Sequence, residues 1–511
     1  MAAHALVDAG LDVLMIERGV PVDRGEHNWA RDAVLELSPY YTRESHYLVR
    51  GDDRGRRGTF QCVGGPAVFY GGVALRLRET DFSASPEVVG DSGAEWPFGY
   101  DEMAPHYATA ERILGVAGRP GENHTDPPGT DGYAQVAPEA QGPARLMWDT
   151  ARDLGLRPSH LPLAIDFDGL GTQTGPCVRC GTCDGYACAV GAKREPASAI
   201  LPRLVNAGLK LVTNTVVVRL LRTGSRVDGV IGVDRATGRR QTFRGDRYIL
   251  AAGALGSPHL VLASGLEGAS PARDWIGRCL MRHCNGIVYG LFPEPLAGAR
   301  TFHKQVGIFD HYGGGDDGGR NGTGDKLGCL QSIHPPPPGM IQDRLPGFLG
   351  GIADPLADRC AGLLAIAEDE PRRENRVSLS RSESDRYGLV RAVVTHRYTA
   401  RDLDARDRLA RVARSVLKTA GARITHMFPI RTFSHAVGTL RMGADPRTSP
   451  LDESSRFRGI DNLWVTDGSF MPRSGGVNPS LTIAANALRA AGRIAERGRA
   501  EPAVELRGAR R

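Results

Sequence analysis

The stretch Val465-Thr-Asp-Gly-Ser-Phe-Met-Pro-Arg-Ser-Gly-Gly-Val-Asn-Pro-Ser-Leu-Thr-Ile483 reads as a strand, a glycine-containing turn and a helix in succession. Leu463, Trp464 and Val465 form a short apolar run that Asp467-Gly468 breaks. Asn478-Pro479 then opens a helical pattern that continues to Ile494. Pro is well suited to the first helical position, because the N–H it lacks would have no partner inside the helix. The other N–H groups of that first turn point back at whatever precedes them. This favours an anionic or electron-rich group there.

The other end of the chain carries a second signal. Residues 2–10 read as the last turns of a helix closed by a glycine, and Asp12-Val-Leu-Met-Ile-Glu17 as a buried strand with a carboxylate at its tip. This resembles the second half of a dinucleotide-binding βαβ unit, whose acidic residue lies roughly twenty residues after a Gly-rich fingerprint and accepts the ribose hydroxyl; the alternative is that Glu17 ends an ordinary strand. Counting back from Glu17 places that fingerprint before Met1. The expectation is therefore a first strand and phosphate loop upstream, omitted through a misassigned start codon or a truncation. Gly313-Gly-Gly-Asp-Asp-Gly-Gly-Arg-Asn-Gly322 is glycine-rich but lacks a strand–turn–helix setting and reads as a flexible loop.

The tail resembles the C-terminal signature of the glucose-methanol-choline (GMC) flavoprotein oxidoreductases. His435-Ala-Val-Gly-Thr-Leu-Arg-Met-Gly443, thirty residues upstream of Val465, belongs to the same resemblance. Cys62-Val-Gly-Gly-Pro-Ala-Val-Phe-Tyr-Gly-Gly72 is similar to the family's first signature, with Gly64 and Gly65 allowing close backbone approach to a flat ligand. It departs from the pattern at Pro66 and Ala67, where small hydroxyl residues are usual, and at Tyr70, where many members have Asn or His. Ala251-Ala-Gly-Ala-Leu-Gly-Ser-Pro-His-Leu-Val-Leu-Ala-Ser-Gly-Leu266 resembles the second signature, a tight strand-to-helix turn at Gly253. Trp96-Pro97 with Tyr100 is similar to a further family segment and reads as a packing anchor.

The resemblance implies an α/β protein. A Rossmann-like FAD-binding domain, lacking in this chain its first strand and phosphate loop, would join an antiparallel-sheet substrate domain with helices. The FAD domain would be discontinuous, drawn from 1–80, 200–268 and 455–500. Residues 81–199 and 269–454 would form the substrate domain and connecting segments. FAD would be held non-covalently, because Phe69 stands where members with covalent flavin carry His. Glu17, Gly64, Gly65, Tyr70, Val217, Gly253, Asp467, Gly468 and Asn478 would contact it, with the backbone near Val217 at the adenine and Asp467-Gly468 at the ribityl or phosphate region.

Alcohol oxidation needs a base for the hydroxyl proton and an acceptor for the carbinol hydride. Flavin supplies the second, and histidine suits the first because it titrates near working pH. The resemblance places His435 as that base and Asn478 as its partner, donating to the substrate oxygen. The substrate would be a sugar, aminoglycoside, polyol or sterol alcohol, and the electrons would pass to oxygen or another carrier. The segments Phe69-Tyr-Gly-Gly72, Phe309-Asp-His-Tyr312 and Phe470-Met-Pro472 resemble flavoenzymes that oxidise aminoglycoside sugar hydroxyls.

Composition narrows the alternatives. The net charge of +6 is small for 511 residues, and the basic residues are dispersed and almost all Arg, with no clustered face for nucleic acid. No run of eighteen apolar residues marks a membrane span, and no basic segment precedes an apolar one at the N-terminus. The expectation is a cytoplasmic protein. The basic end at Arg507–Arg511 reads as a solvated tail. Leu211–Val218, Arg226–Asp234 and Gln241–Leu250 read as strands, and Asp402–Ala420 as a helix capped by Gly421. Pro335–Pro338 reads as a stiff loop or lid edge.

Four of the nine cysteines cluster as Cys177-x2-Cys180-x2-Cys183-x4-Cys188. A ferredoxin run has three residues before its last Cys and Pro after it, whereas this chain has four and Ala189. Zinc also fits overlapping Cys-x2-Cys steps. Paired or free thiols without a metal are the favoured reading. Two other function classes stay open on sequence: a non-catalytic relic unable to hold FAD, and an electron-transfer protein with a cysteine-bound iron–sulfur cluster.

Overall fold

The run Cys360–Ala367 is apolar throughout and becomes a strand buried at every position, because both of its faces are covered. It lies in the middle of a six-stranded antiparallel sheet. The order is Ile424–Pro429, Gly286–Leu291, Cys360–Ala367, Gly328–Ile333, Val306–Ile308, Pro158–His160. The computed structural model describes residues 1–30, 33–34, 37–83, 86–129, 132–170, 175–313, 326–336 and 353–500. The tail at 507–511, most of the glycine-rich run (314–322) and Pro337–Pro338 lie outside these residues.

One face of the sheet is covered by the helix Ala400–Thr419. Its buried residues Ala405, Leu409, Ala410, Ala413, Val416 and Leu417 recur at helical spacing and pack with Val288, Leu363 and Ala365. Thr399 caps its N-terminus, accepting from Asp402 N while Asp402 accepts from Thr399 N, a reciprocal capping box. A second sheet runs Arg376–Ser384, Val390–His396, Tyr41–Gly51, Gly55–Phe60.

Two separate two-stranded parallel pairs lie beside these sheets. Leu14–Ile16 pairs with Lys210–Val212, and Tyr248–Leu250 with Leu463–Val465. The helices Ala2–Asp8 and Ser480–Ala500 serve both pairs. Leu6, Ala491 and Ile494 share one apolar cluster with Val13, Ile249 and Trp464. The strand expected to be buried before Glu17 is half-exposed instead, with Leu14 at 41%. The reason is its single neighbour: among the described residues only Lys210–Val212 ladders to it.

Other expectations shift at their ends. Leu211–Val218 divides into Lys210–Val212 and Thr215–Thr223, because Asn214 turns the chain at φ 54°. Gln241–Leu250 divides into Arg240–Phe243 and Tyr248–Leu250, with the Arg244–Arg247 turn between them. Arg226–Asp234, the helix after Gly253 and the helix after Asn478 stand as read.

Candidate active site

Two loops far apart in sequence meet at the C-terminal ends of the parallel strands. The turn after Leu463–Val465 carries Asp467 and Gly468, and Gly468 O accepts from Gly438 N at 3.1 Å. That bond draws the His435–Gly438 turn onto the tail. Gly438 sits at φ +97°, and a Cβ there would lie 2.4 Å from Cys279 O, so only glycine fits. Asp467 is buried, and its carboxylate accepts from Gly253 N at 3.0 Å, from Ser469 N at 2.9 Å and from the hydroxyls of Ser257 and Ser469. This clamp joins the second signature to the tail and leaves the backbone of the turn to meet a ligand. Burial pushes the Asp467 carboxyl up, against those hydrogen bonds.

The Glu17 end assembles from different segments. Glu17 Oε1 accepts from Gly19 N at 2.8 Å, and Glu17 O accepts from Thr215 N at 3.0 Å, at the start of the strand that carries Val217. Val63 N donates to Val20 O at 2.9 Å, which brings in the first-signature loop with Gly64 at φ +96° and Gly65 at φ +57°. Tyr70 donates its hydroxyl to Arg194 O at 2.7 Å. Beside Glu17, the buried Nε and Nη2 of Arg18 have no hydrogen-bond partner. A carboxylate next to unpartnered guanidinium N–H groups suits a ribose and phosphate, and a Cβ at Gly253 would meet nothing within 4 Å. These residues fit a dinucleotide flavin.

His435 and Asn478 are both half-buried. They share no hydrogen bond among the described residues, but each is tied to the same turn. His435 Nδ1 lies 2.9 Å from His283 Nδ1, and His283 Nε2 reaches Ser474 O at 3.1 Å, four residues before Asn478. Asn478 Oδ1 accepts from Gln331 Nε2 at 2.7 Å, leaving its Nδ2 to donate elsewhere. Burial, the largest influence, holds the His435 imidazole well below its ordinary range, so it stands neutral and able to accept a proton.

The intervening turn Arg473–Val477 is wedged in place. Gly475 is at φ +66°, with Leu77 Cδ2 only 2.4 Å from where a Cβ would be. A Cβ on Gly476 would lie 2.8 Å from Tyr312 Cε2 and 2.9 Å from Gly328 Cα. Arg473 forks onto Glu368 at 3.1 Å to each oxygen, Lys326 bridges Glu368 at 2.9 Å and Asp81, and Tyr312 OH donates to Asp81 at 2.7 Å while accepting from Gly476 N at 3.0 Å. All five residues are buried. Asp369 Oδ1 accepts from His283 N at 3.1 Å and from Ser474 Oγ at 2.8 Å.

His283, Gln331, Asp369 and the Lys326–Glu368–Arg473 network went unread in the sequence. One local signal exists: the apolar run Cys360–Ala367 ends abruptly at Glu368-Asp369, so two carboxylates follow a buried strand directly. Of the aromatic residues linked to aminoglycoside enzymes, Phe69 and Phe470 pack against other rings. Phe69 lies on Phe60 with ring centroids 4.9 Å apart, and Phe470 lies against Trp96 at 6.0 Å. Trp96 is buried, in keeping with an anchor.

The four clustered cysteines are free thiols around one small cavity with the buried Lys193. Lys193 Nζ donates to Cys183 O at 2.6 Å and Tyr186 O at 2.7 Å. Among the described residues no group of three or more His, Cys, Asp or Glu side chains is arranged to hold a metal ion. No described helix is long and apolar enough to cross a membrane.

Comparison with known proteins agrees with this geometry. Residues 133–285 and 371–487 match the N- and C-terminal regions of the GMC oxidoreductases. The chain is 31% identical to paromamine 6'-oxidase of Streptomyces fradiae over 97% of this chain and 89% of that protein. It is 30% identical to 6'''-hydroxyparomomycin C oxidase of Streptomyces lividus over 99% of this chain and 91% of that protein. The fold is similar to that of pyridoxine 4-oxidase from Mesorbium loti, with TM-score 0.68 and 20% identity over 96% of each chain. The chain belongs to the GMC oxidoreductase family, FAD-dependent enzymes that oxidise alcohols.

Proposed function

We propose that this chain oxidises a hydroxyl of an aminoglycoside-type sugar, with His435 as the base and Asn478 as the hydrogen-bond donor to the substrate oxygen. The observation that carries the site assignment is the shared tether of both side chains to one wedged turn: His435 through His283 to Ser474 O, and Asn478 as the turn's own end. FAD, held non-covalently by Glu17 and Arg18 at one end and by the backbone of Gly64, Gly65, Val217, Gly253 and Gly468, with Tyr70 and Asp467 shaping those loops, supplies the hydride acceptor. The cofactor unit is drawn from 1–80, 200–268 and 455–500, with its hairpin at 41–60 extending the sheet of the substrate unit formed by 81–199 and 269–454.

The protein's own part is proton handling and placement. Neutral His435 takes the hydroxyl proton, which raises the tendency of the carbinol carbon to lose hydride. Asn478 Nδ2 holds the developing alkoxide, since its oxygen is already committed to Gln331. The sugar substrate class rests on the two relatives named for paromomycin-type compounds, each matched over nearly the whole chain.

The test is anaerobic mixing of FAD-loaded enzyme with paromamine, a simple polyol and a sterol, followed by flavin absorbance. Bleaching by paromamine first supports the reading, and bleaching only by the sterol or the polyol refutes the substrate class. His435→Ala should keep its flavin and slow reduction by a factor of about 10² or more. Reduction at the wild-type rate would dismiss His435 as the base.

A further inference from the structure

We propose that His283 is a positioning residue that fixes which nitrogen of His435 carries the proton, so that His435 Nε2 presents its lone pair to the substrate. This rests on the reading of His435 as the base and adds the group that makes it one.

The argument is one of donors and acceptors. His283 Nε2 is 3.1 Å from Ser474 O, and a backbone carbonyl can only accept, so His283 carries its proton on Nε2. A neutral ring protonated there has a bare Nδ1. That Nδ1 lies 2.9 Å from His435 Nδ1, and two bare nitrogens do not approach so closely without a proton between them. The proton is therefore on His435 Nδ1, and the lone pair is on His435 Nε2. A ring protonated on the wrong nitrogen has nothing with which to take a hydroxyl proton.

The alternative is a doubly protonated His283 donating to a bare His435 Nδ1. It would put a cation on a ring that is buried, with no carboxylate hydrogen-bonded to that ring among the described residues. The neutral arrangement requires the Asn285 amide in the flipped orientation. Its Nδ2 is drawn 3.5 Å from His435 Nδ1, while its buried Oδ1 has no partner. Turning the amide over places that oxygen as a second acceptor for the same Nδ1–H.

The backbone that carries the His283 ring is also fixed. The residue sits at φ 58°, a left-handed conformation uncommon outside glycine. Asp369 Oδ1 accepts from both His283 N and Ser474 Oγ, so one carboxylate holds the backbone of His283 and the residue whose carbonyl orients its ring. The ring planes of His283 and His435 are perpendicular, with centroids 5.1 Å apart, so the contact is a hydrogen bond and not stacking.

The experiment uses the FAD-loaded protein. His283→Phe keeps the ring's bulk and removes the acceptor; His283→Gln keeps an acceptor oxygen and a donor. Single-turnover flavin reduction should fall about 10²-fold in His283→Phe with KM and flavin content unchanged, and recover at least tenfold of that in His283→Gln. The acid limb of the kcat/KM profile should move to lower pH in His283→Phe, because the His435 imidazolium loses its acceptor. The other charged or titratable groups facing His435, Lys304 and Asp369, are left in place. Wild-type reduction and an unmoved limb in His283→Phe would overturn the proposal, as would equal losses in both variants.

Ring ¹⁵N shifts of histidine-labelled wild type, assigned by subtracting the His435→Gln spectrum, read the tautomer without altering His283. Protonation of His435 at Nδ1 is expected, and protonation at Nε2 overturns the assignment. A His435→Ala enzyme that reduces flavin normally would refute the base and leave this tautomer result standing, so the two failures are distinguishable.

Discussion

The turn at Arg473–Val477 has two flanks built from opposite materials. On one, Asp81, Lys326, Glu368 and Arg473 bury two carboxylates against two cations, with Tyr312 closing the set. On the other, imidazoles, amides and a backbone carbonyl surround His435 with Lys304 nearby, and a carboxylate, Asp369, accepts backbone and hydroxyl hydrogens and lies 3.6 Å from His396 Nε2. Buried opposite charges hold geometry because removing any one strands the others. They are poor material for a proton acceptor, whose affinity they would shift by large amounts at short range. The molecule therefore keeps its tightly paired charges behind the turn and sets the protonatable imidazoles in front, where Asp369 and Lys304 are the charges that act on His435.

Breaking the charged flank should have the largest effect on stability. Glu368→Gln leaves Lys326 and Arg473 without their shared partner and should destabilise the fold by about 3–5 kcal/mol. Denaturant unfolding reads this, and a loss below 1 kcal/mol would mean that water has entered the network. Tyr312→Phe removes the acceptor for Gly476 N and should cost about 1–3 kcal/mol, with a slower flavin reduction if the turn shifts. His435→Ala, on the neutral flank, should leave the unfolding midpoint nearly unchanged, by about 1 kcal/mol or less, while abolishing most turnover.

A pH series sharpens the same contrast. Burial alone would raise the Glu368 carboxyl, but Lys326 and Arg473 hold it well below the usual range. Asp369 is likewise depressed, with burial opposed by His396 and by the backbone hydrogen bond from Arg282. Groups whose folded pKa is lowered stabilise above their unfolded pKa and lose that contribution as pH falls toward the folded value. Melting temperature should therefore hold from neutral pH to roughly pH 4–5 and drop below it. A steady decline from pH 7 downward would point to groups other than these two.

The two flanks also differed in how far the sequence disclosed them. The His435 turn and the Val465–Asn478 tail are contiguous motifs whose glycines and Asn-Pro step carry local meaning, and the structure brings them together through Gly438 and Gly468. The helix Ala400–Thr419 was legible for the same reason: Asp402 near its start and Gly421 just past its end lie within two residues of its limits, although the Thr399 cap went unread. The charged flank was not legible. Lys326 and Asp81 are 245 positions apart and Arg473 and Glu368 105 apart, and each resembles an ordinary surface residue when read alone. His283 carries no motif; only its contacts with His435 and Ser474 give it meaning. The strand before Glu17 was misjudged as buried because apolar content reports the preference of a strand and not the number of its neighbours.

Gly475 and Gly476 leave room for nothing beyond hydrogen, with a Cβ on the first falling 2.4 Å from Leu77 and one on the second 2.8 Å from Tyr312. A laboratory evolving this enzyme toward new alcohols should find these two codons silent in every selection. Acceptance of bulkier or smaller donors would have to be won at side chains away from this turn.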